Sequence, residues 1–501
     1  VGFGGGLNLR DPSNALDLDE LSEADNVFVS DERGSLSARP GCRMMGLLPG
    51  STGNERVLSM WRFDRGAAGP HILYHTSAGK LLYSANGGAT ITAIASNVST
   101  SQPMSFETFN NKCYMSNGTD SYCSWDGTTY TTYPSAPKGK YLRLWRDAMW
   151  VSGIPGSPDR VYESNPGDAE TFGVASWVDI AKGDGDRVTT LATDGNFLIV
   201  AKRDRIWVIT DPVTFFNRLV DYEKGSESHF SWVACAGVLY FLSRYGIFAF
   251  LPDQPSVPIS GKLDPIFNDS IINYGALESV TAYNFRDRVG WTLPEAGSSI
   301  TTFQIEFSPK LPKAPWTTHR MPVRCFAVWR SGGTVILTAG SNNSNRVLQV
   351  FDTTAGDDDG TVFACQATTG WFALDLEDLI KYLRRIGIVA RGSLYVALRK
   401  DFEYATAKLH AIDATAGGTD LWTTSDNWNE GVWGPVGSLA DLTINTDLYF
   451  REIAVSFRDL GSSGAGAQPP IDIAGKSYTL GGGRWAVHEI QLHGMVMGPS
   501  R

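Results

Sequence analysis

Seven pairs of short apolar or alternating runs, each pair separated by turn-forming residues, dominate the sequence between residues 71 and 350. The pairs are 71–74 with 80–83, 112–115 with 122–125, 148–151 with 160–162, 197–200 with 205–209, 238–242 with 246–250, 288–291 with 303–307, and 334–337 with 346–350. Runs of this length bounded by Gly, Pro, Asn and Ser read as the two arms of antiparallel hairpins. Their starts recur at intervals of 36 to 50 residues. Several second arms open alike, as in Lys80-Leu81, Arg205-Ile206 and Arg346-Val347. Strand-built repeats of roughly 40–50 residues are the mark of β-propeller blades, because one small twisted sheet cannot bury both faces and must pack between neighbours. The expected fold class is all-β: a β-propeller of about seven blades.

Composition agrees. Aromatic residues make up 11% of the chain, with 15 Trp, and charged residues only 19%. That is strand-favouring, and carries too little charge for a disordered chain. Beyond residue 350 the rhythm changes to longer runs at 363–374, 386–390, 394–398, 448–457, 471–480 and 484–496. They predict a second, sandwich-like β platform. Leu376, Leu379, Ile380 and Leu383 fall at helical spacing, so a short helix over 376–385 competes there. The first forty residues carry few apolar positions and look unable to fold alone. The expected organisation is an extended arm over 1–41, packing on the platform or on a neighbouring subunit, a propeller over 42–350 and a platform over 351–501.

The net charge of −10 argues against a non-specific nucleic-acid binder, which needs a basic surface. Passage of nucleic acid through an acidic conduit remains compatible, since negative walls keep phosphates from sticking. The six cysteines form no C-x-x-C and read as buried thiols; Cys113 and Cys123 could face each other across a hairpin. No apolar run approaches the ~20 residues of a membrane span, and the opening residues carry no signal-peptide core.

Candidate chemistry is sparse. Gly2-Phe3-Gly4-Gly5-Gly6 lacks the preceding strand and following helix of a dinucleotide site. His71 and His75 are four apart but not on a helix, so a zinc site is not expected. Asp357-Asp358-Asp359 and Asp184-x-Asp186 have calcium-like spacing without the full loop pattern, and read as acidic turns. Ser84-x-Asn86-x-Gly88-x-Thr90 is similar to the stabilising Asp-box turn of sialidase propellers, with Asn for Asp. Trp422, Trp428 and Trp433 lie among Gly, Asp and Asn, where carbohydrate or partner contact is conceivable. Catalytic, cofactor and metal residues are therefore none, and the chain is not expected to be an enzyme.

The opening segment narrows the reading. Gly5-Gly6-Leu7-Asn8-Leu9-Arg10-Asp11-Pro12 is followed by Asn26-Val27, then Arg33-Gly34-Ser35-Leu36-Ser37-Ala38-Arg39-Pro40-Gly41. This resembles the opening of tailed-bacteriophage tail nozzle, tail tubular B and tail hub (DNA-stabilisation) proteins. The resemblance implies a structural virion protein in the phage tail, assembled in the host cytoplasm. It further implies a self-assembled ring, a hexamer by family analogy, that extends the DNA ejection channel below portal and adaptor. The implied partners are further copies of the chain, a tail adaptor, tail fibre or spike proteins, and genomic DNA passing without sequence specificity; no membrane insertion is implied. On this view Gly5, Gly6, Arg10, Asp11, Pro12, Asn26, Arg33, Gly34, Leu36, Arg39, Pro40 and Gly41 serve assembly, with Arg33, Arg39 and Arg43 available to pair with Asp357–Asp359. The alternative is a propeller that binds glycans or cleaves them as sialidases do.

Overall fold

The computed structural model describes all residues except 1, 31–33, 52, 67–68, 269, 374–378, 404, 415–439, 460–471, 474–475, 478–484 and 497–501. The chain divides into two compact units. One comprises Arg43–Gln304 and Met321–Val350; the other gathers Val1–Cys42, Ile305–Arg320 and Phe351–Arg501.

The first of these units is a ring of small antiparallel sheets. Five are complete four-stranded sheets in sequence order, within residues 57–95, 105–133, 141–179, 190–221 and 233–258. The sixth begins with Thr281–Phe285, Arg288–Pro294 and Thr301–Phe307, whose last residues carry the chain into the other unit. The seventh contains Val323–Ser331, Thr334–Ser341 and Arg346–Asp352. Its fourth place is taken by Gly41–Leu47, from the other end of the sequence. Leu48 N–H donates to the Asn345 carbonyl at 2.9 Å and Arg43 to the Gln349 side chain at 3.2 Å, holding that closing strand. Every one of the seven ribbon pairs read from the sequence forms the second and third strands of a sheet.

Burial between sheets explains why they stay together. Phe63, Leu73, Met115 and Trp125 join the first and second sheets; Trp150, Val161, Leu198 and Trp207 join the third and fourth. Val57, Ile72, Cys325 and Val347 join the first and the seventh, so the ring is closed. Trp291 Nε1 donates to the Ser231 carbonyl at 2.8 Å between the fifth and sixth, and the rings of Tyr283 and Phe326 stand 4.6 Å apart between the sixth and seventh. Fully burying one large side chain is worth about 1.5–3 kcal/mol, and each sheet contributes several to both neighbours.

The first and second strands are joined by two-residue turns in five sheets, at Asn110-Asn111, Arg146-Asp147, Ala236-Gly237, Arg286-Asp287 and Gly332-Gly333. All ten residues have positive φ. Such turns match the right-handed twist of the strands they connect.

The second unit is built on Lys381–Lys400, a strand of 20 residues shared by two sheets. Its N-terminal half pairs with Ala440–Phe450 and Ala486–Val496. Its C-terminal half pairs with Lys408–Ala414 and Ile453–Asp459. The expected separate strands at 386–390 and 394–398 are therefore one strand. The competing helix does not form over Lys381–Arg385, which is strand; residues 374–378 lie outside the described residues. Alternate side chains of Ile386, Ile388 and Ala390 are fully buried, so the two-residue period of the sheet wins over helical spacing. The run expected over 448–457 is broken by a turn at Arg451-Glu452.

The segment expected as an extended arm over 1–41, on the platform or on a neighbour, shares a unit with the platform and contributes strands to its sheets. Glu20–Asp25 lies inside a sheet, between Trp316–Arg320 and Gln366–Thr369. Val27–Val29 and Leu36–Ala38 form a hairpin whose second strand pairs with Ala486–Val496. The segment 305–320, expected among the propeller ribbons, belongs to this unit: Phe307 and Trp316 stack with centroids 4.6 Å apart. A sparse segment can enter a core when long-range strands supply its missing apolar partners.

Candidate functional site

Arg39 organises the opening segment. Its side chain is wholly buried and forms a forked pair with Asp358, Nη1 to Oδ1 at 2.9 Å and Nη2 to Oδ2 at 2.6 Å. Nε donates to Asn26 Oδ1 at 2.8 Å, Nη2 to the Arg320 carbonyl at 3.0 Å, and the guanidinium lies 3.6 Å from the Phe363 ring centroid. Asn26, at φ 55°, also donates to the Ala364 carbonyl and accepts from Arg320 N–H. The planar fork of Arg suits this set as Lys could not.

The other motif residues divide by exposure. Gly6 has φ 65°, and a Cβ there would stand 2.6 Å from Pro315; a Cβ on Gly41 would fall 2.0 Å from the Asp357 carbonyl. Gly5 and Leu36 are buried, and Gly34 and Pro40 half-buried. Arg10 and Pro12 are exposed. Asn8 Oδ1 accepts from the N–H groups of Arg10 and Asp11, fixing that turn at the surface. Arg33 lies outside the described residues. The expectation of Arg39 pairing with the acidic run is met inside one chain, so its guanidinium is not available to a neighbour. Arg43 donates to the Gln349 side chain at 3.2 Å.

The remaining candidates resolve structurally. All six cysteines are free and buried; Cys113 stands opposite Trp125 and Cys123 opposite Met115, so the pair is not bridged. Asp184 is 2.7 Å and Asp159 2.8 Å from the ammonium of Lys202, itself almost fully buried, so this carboxylate cluster carries its own cation. His71 packs against Tyr83 and Trp125, whereas His75 Nδ1 accepts from Met104 N–H at 3.2 Å. Among the described residues no group of three metal-ligating side chains converges. Ser84 Oγ accepts from Gly88 N–H and Asn86 Oδ1 from Thr90 N–H, both at 2.8 Å, which makes 84–90 the bracing turn its spacing suggests. The three tryptophans at 422, 428 and 433 lie outside the described residues.

One further feature is a concavity that no sequence motif announced. In an antiparallel four-stranded sheet the turn after the second strand and the exit from the fourth emerge on the same side. Such loops of the third to fifth sheets meet over one end of the ring. There they border an open cleft of about 640 Å³, lined by Arg244, Tyr245, Asp264, Phe267, Asn268 and Tyr274. Arg244 and Tyr274 also line an adjoining recess of about 190 Å³, with Arg187, Arg203, Glu227 and Glu278. Arg244 pairs with Glu227 at 3.2 Å and Arg187 with Glu278 at 3.3 Å. The residues of the cleft and its recess come from five separate loops, which is why no local pattern reveals it.

No protein-family model and no curated protein matches the sequence. Solved structures with a similar course include YCF48 bound to D1 peptide, at 11% identity and TM-score 0.39, covering 64% of this chain and 99% of that one. BamB from Moraxella catarrhalis has 10% identity and TM-score 0.38, covering 68% and 96%. BBS1N in complex with ARL6DN has 11% and 0.41, covering 64% and 99%. All three are β-propeller proteins. The propeller fold of this chain is read from its own strand order, with these as company.

Proposed function

We propose that the chain is a structural subunit of a bacteriophage tail, a nozzle or hub component that assembles as a ring around the DNA path and anchors fibres or spikes. The observation that supports this most is the position of the opening segment. The residues that resemble the start of tail nozzle and hub proteins are the ones that tie the platform together, through Arg39, Asn26 and Asp358. The motif is thus a folding device in this chain, and its exposed turn at Arg10–Pro12 is the part open to another subunit. A closed ring needs two different complementary patches on each subunit, which two distinct β units can supply. The net charge of −10 suits a wall past which phosphates slide.

The test is assembly. The chain, alone and co-expressed with the portal and adaptor encoded near its gene, is measured by mass photometry and negative-stain imaging. Rings templated by the adaptor are expected. A chain that stays monomeric beside a folded adaptor, or that hydrolyses a fluorogenic sialoside, overturns the reading.

A further inference from the structure

We propose that the cleft over the third to fifth sheets binds an acidic saccharide, a sugar chain bearing carboxylates. Tyr245 is more than half exposed, and with Tyr274 and Phe267 it offers aromatic surface to the apolar face of a pyranose ring. Asp264 beside them can accept hydrogen bonds from sugar hydroxyls. At the inner end the arginines differ in what they already hold. Arg244 is held by Glu227, and Arg187 by Glu278, which also receives Lys140 at 3.4 Å and the Tyr141 hydroxyl at 3.2 Å. Arg203 has no ion-pair partner among the described residues, while its backbone N–H is fixed by Asp186 Oδ2 at 2.9 Å. Lys224 sits 4.5 Å from the Tyr245 ring centroid. The cleft therefore joins an aromatic floor and hydroxyl acceptors to one uncommitted guanidinium, the counter-charge for a sugar carboxylate. An acidic peptide fits less well, because its aspartate and glutamate side chains offer no flat apolar face to Tyr245, Tyr274 and Phe267.

This binding does not rest on the tail reading, since the cleft lies within one unit of one chain. The full chain is titrated by calorimetry with trigalacturonate, trisialic acid, maltotriose and triglutamate. Saturable binding of an acidic trisaccharide is expected, at least about tenfold tighter than maltotriose and weakened by added salt. R203E and Y274A should each lose about tenfold or more in affinity with the melting temperature unchanged. The proposal is overturned if neither acidic sugar binds, if maltotriose binds equally well, if only triglutamate binds, or if both variants bind like the parent chain.

Discussion

Arg39 is the clearest case in this protein of a charge that only its surroundings make tolerable. Out of water a guanidinium is costly, and here the forked carboxylate, two further acceptors and an aromatic face replace hydration. Removing either partner leaves the other charged and buried. Arg39→Ala and Asp358→Asn should each cost about 3–5 kcal/mol of stability, measured by urea unfolding, and Arg39→Lys should not restore the parent value. His75 sets a pH dependence. Burial pulls its pKa down to about 4 from 6.5, and Met104 N–H donates into the ring nitrogen a proton would need. Between those values the unfolded chain takes up a proton that the folded chain refuses. The contribution is full above pH 6.5 and is lost as pH falls towards 4. The melting temperature should drop through that window, and His75→Asn, which keeps an acceptor but does not titrate, should make the drop shallower. His229, held neutral by burial in the same way, leaves a residual slope.

At the scale of elements, the central strands of each sheet were legible because both of their faces are buried, which writes an unbroken apolar run. The fourth strands were not. Outer strands such as Thr92–Ala95 and Tyr130–Tyr133 keep much of their surface in water, so composition gives little sign of them. The tight turns were equally silent, since Arg146-Asp147 and Arg286-Asp287 stand where Asn-Gly would be the telling pair. Those residues carry positive φ at a cost, so Asp147→Gly should stabilise the chain by about 0.5–1 kcal/mol, detectable as a higher melting temperature. Exposure of Asp147 means the change removes no core contact.

The whole molecule is threaded, not strung as beads. The chain enters the ring at 43, leaves it after 304, returns at 321 and leaves again after 350. A fragment of residues 43–350 would contain every ribbon pair read from the sequence, yet it would strand 305–320 without its own unit. Ile305, Phe307 and Trp316, all buried in the full chain, would be separated from the rest of their own unit. This fragment should bind the dye ANS and aggregate more than the full chain at equal concentration, as seen by fluorescence and light scattering. A well-behaved fragment with no added dye binding would show that the segment is dispensable.

Local pattern determined the all-β class, the seven ribbon pairs and the change of architecture after residue 350, because strand periodicity and turn chemistry are written in neighbouring residues. Tertiary structure alone decided which distant strand closes the seventh sheet, that the opening forty residues enter the platform as strands of its sheets, and that the expected pairing of Arg39 with the acidic run falls on Asp358 of the same chain, 319 positions away. It also decided that five loops converge on one cleft and its recess. These are pairings between segments remote in sequence, where burial of the last unpaired edge or charge selects the partner, and no local stretch of sequence carries that choice.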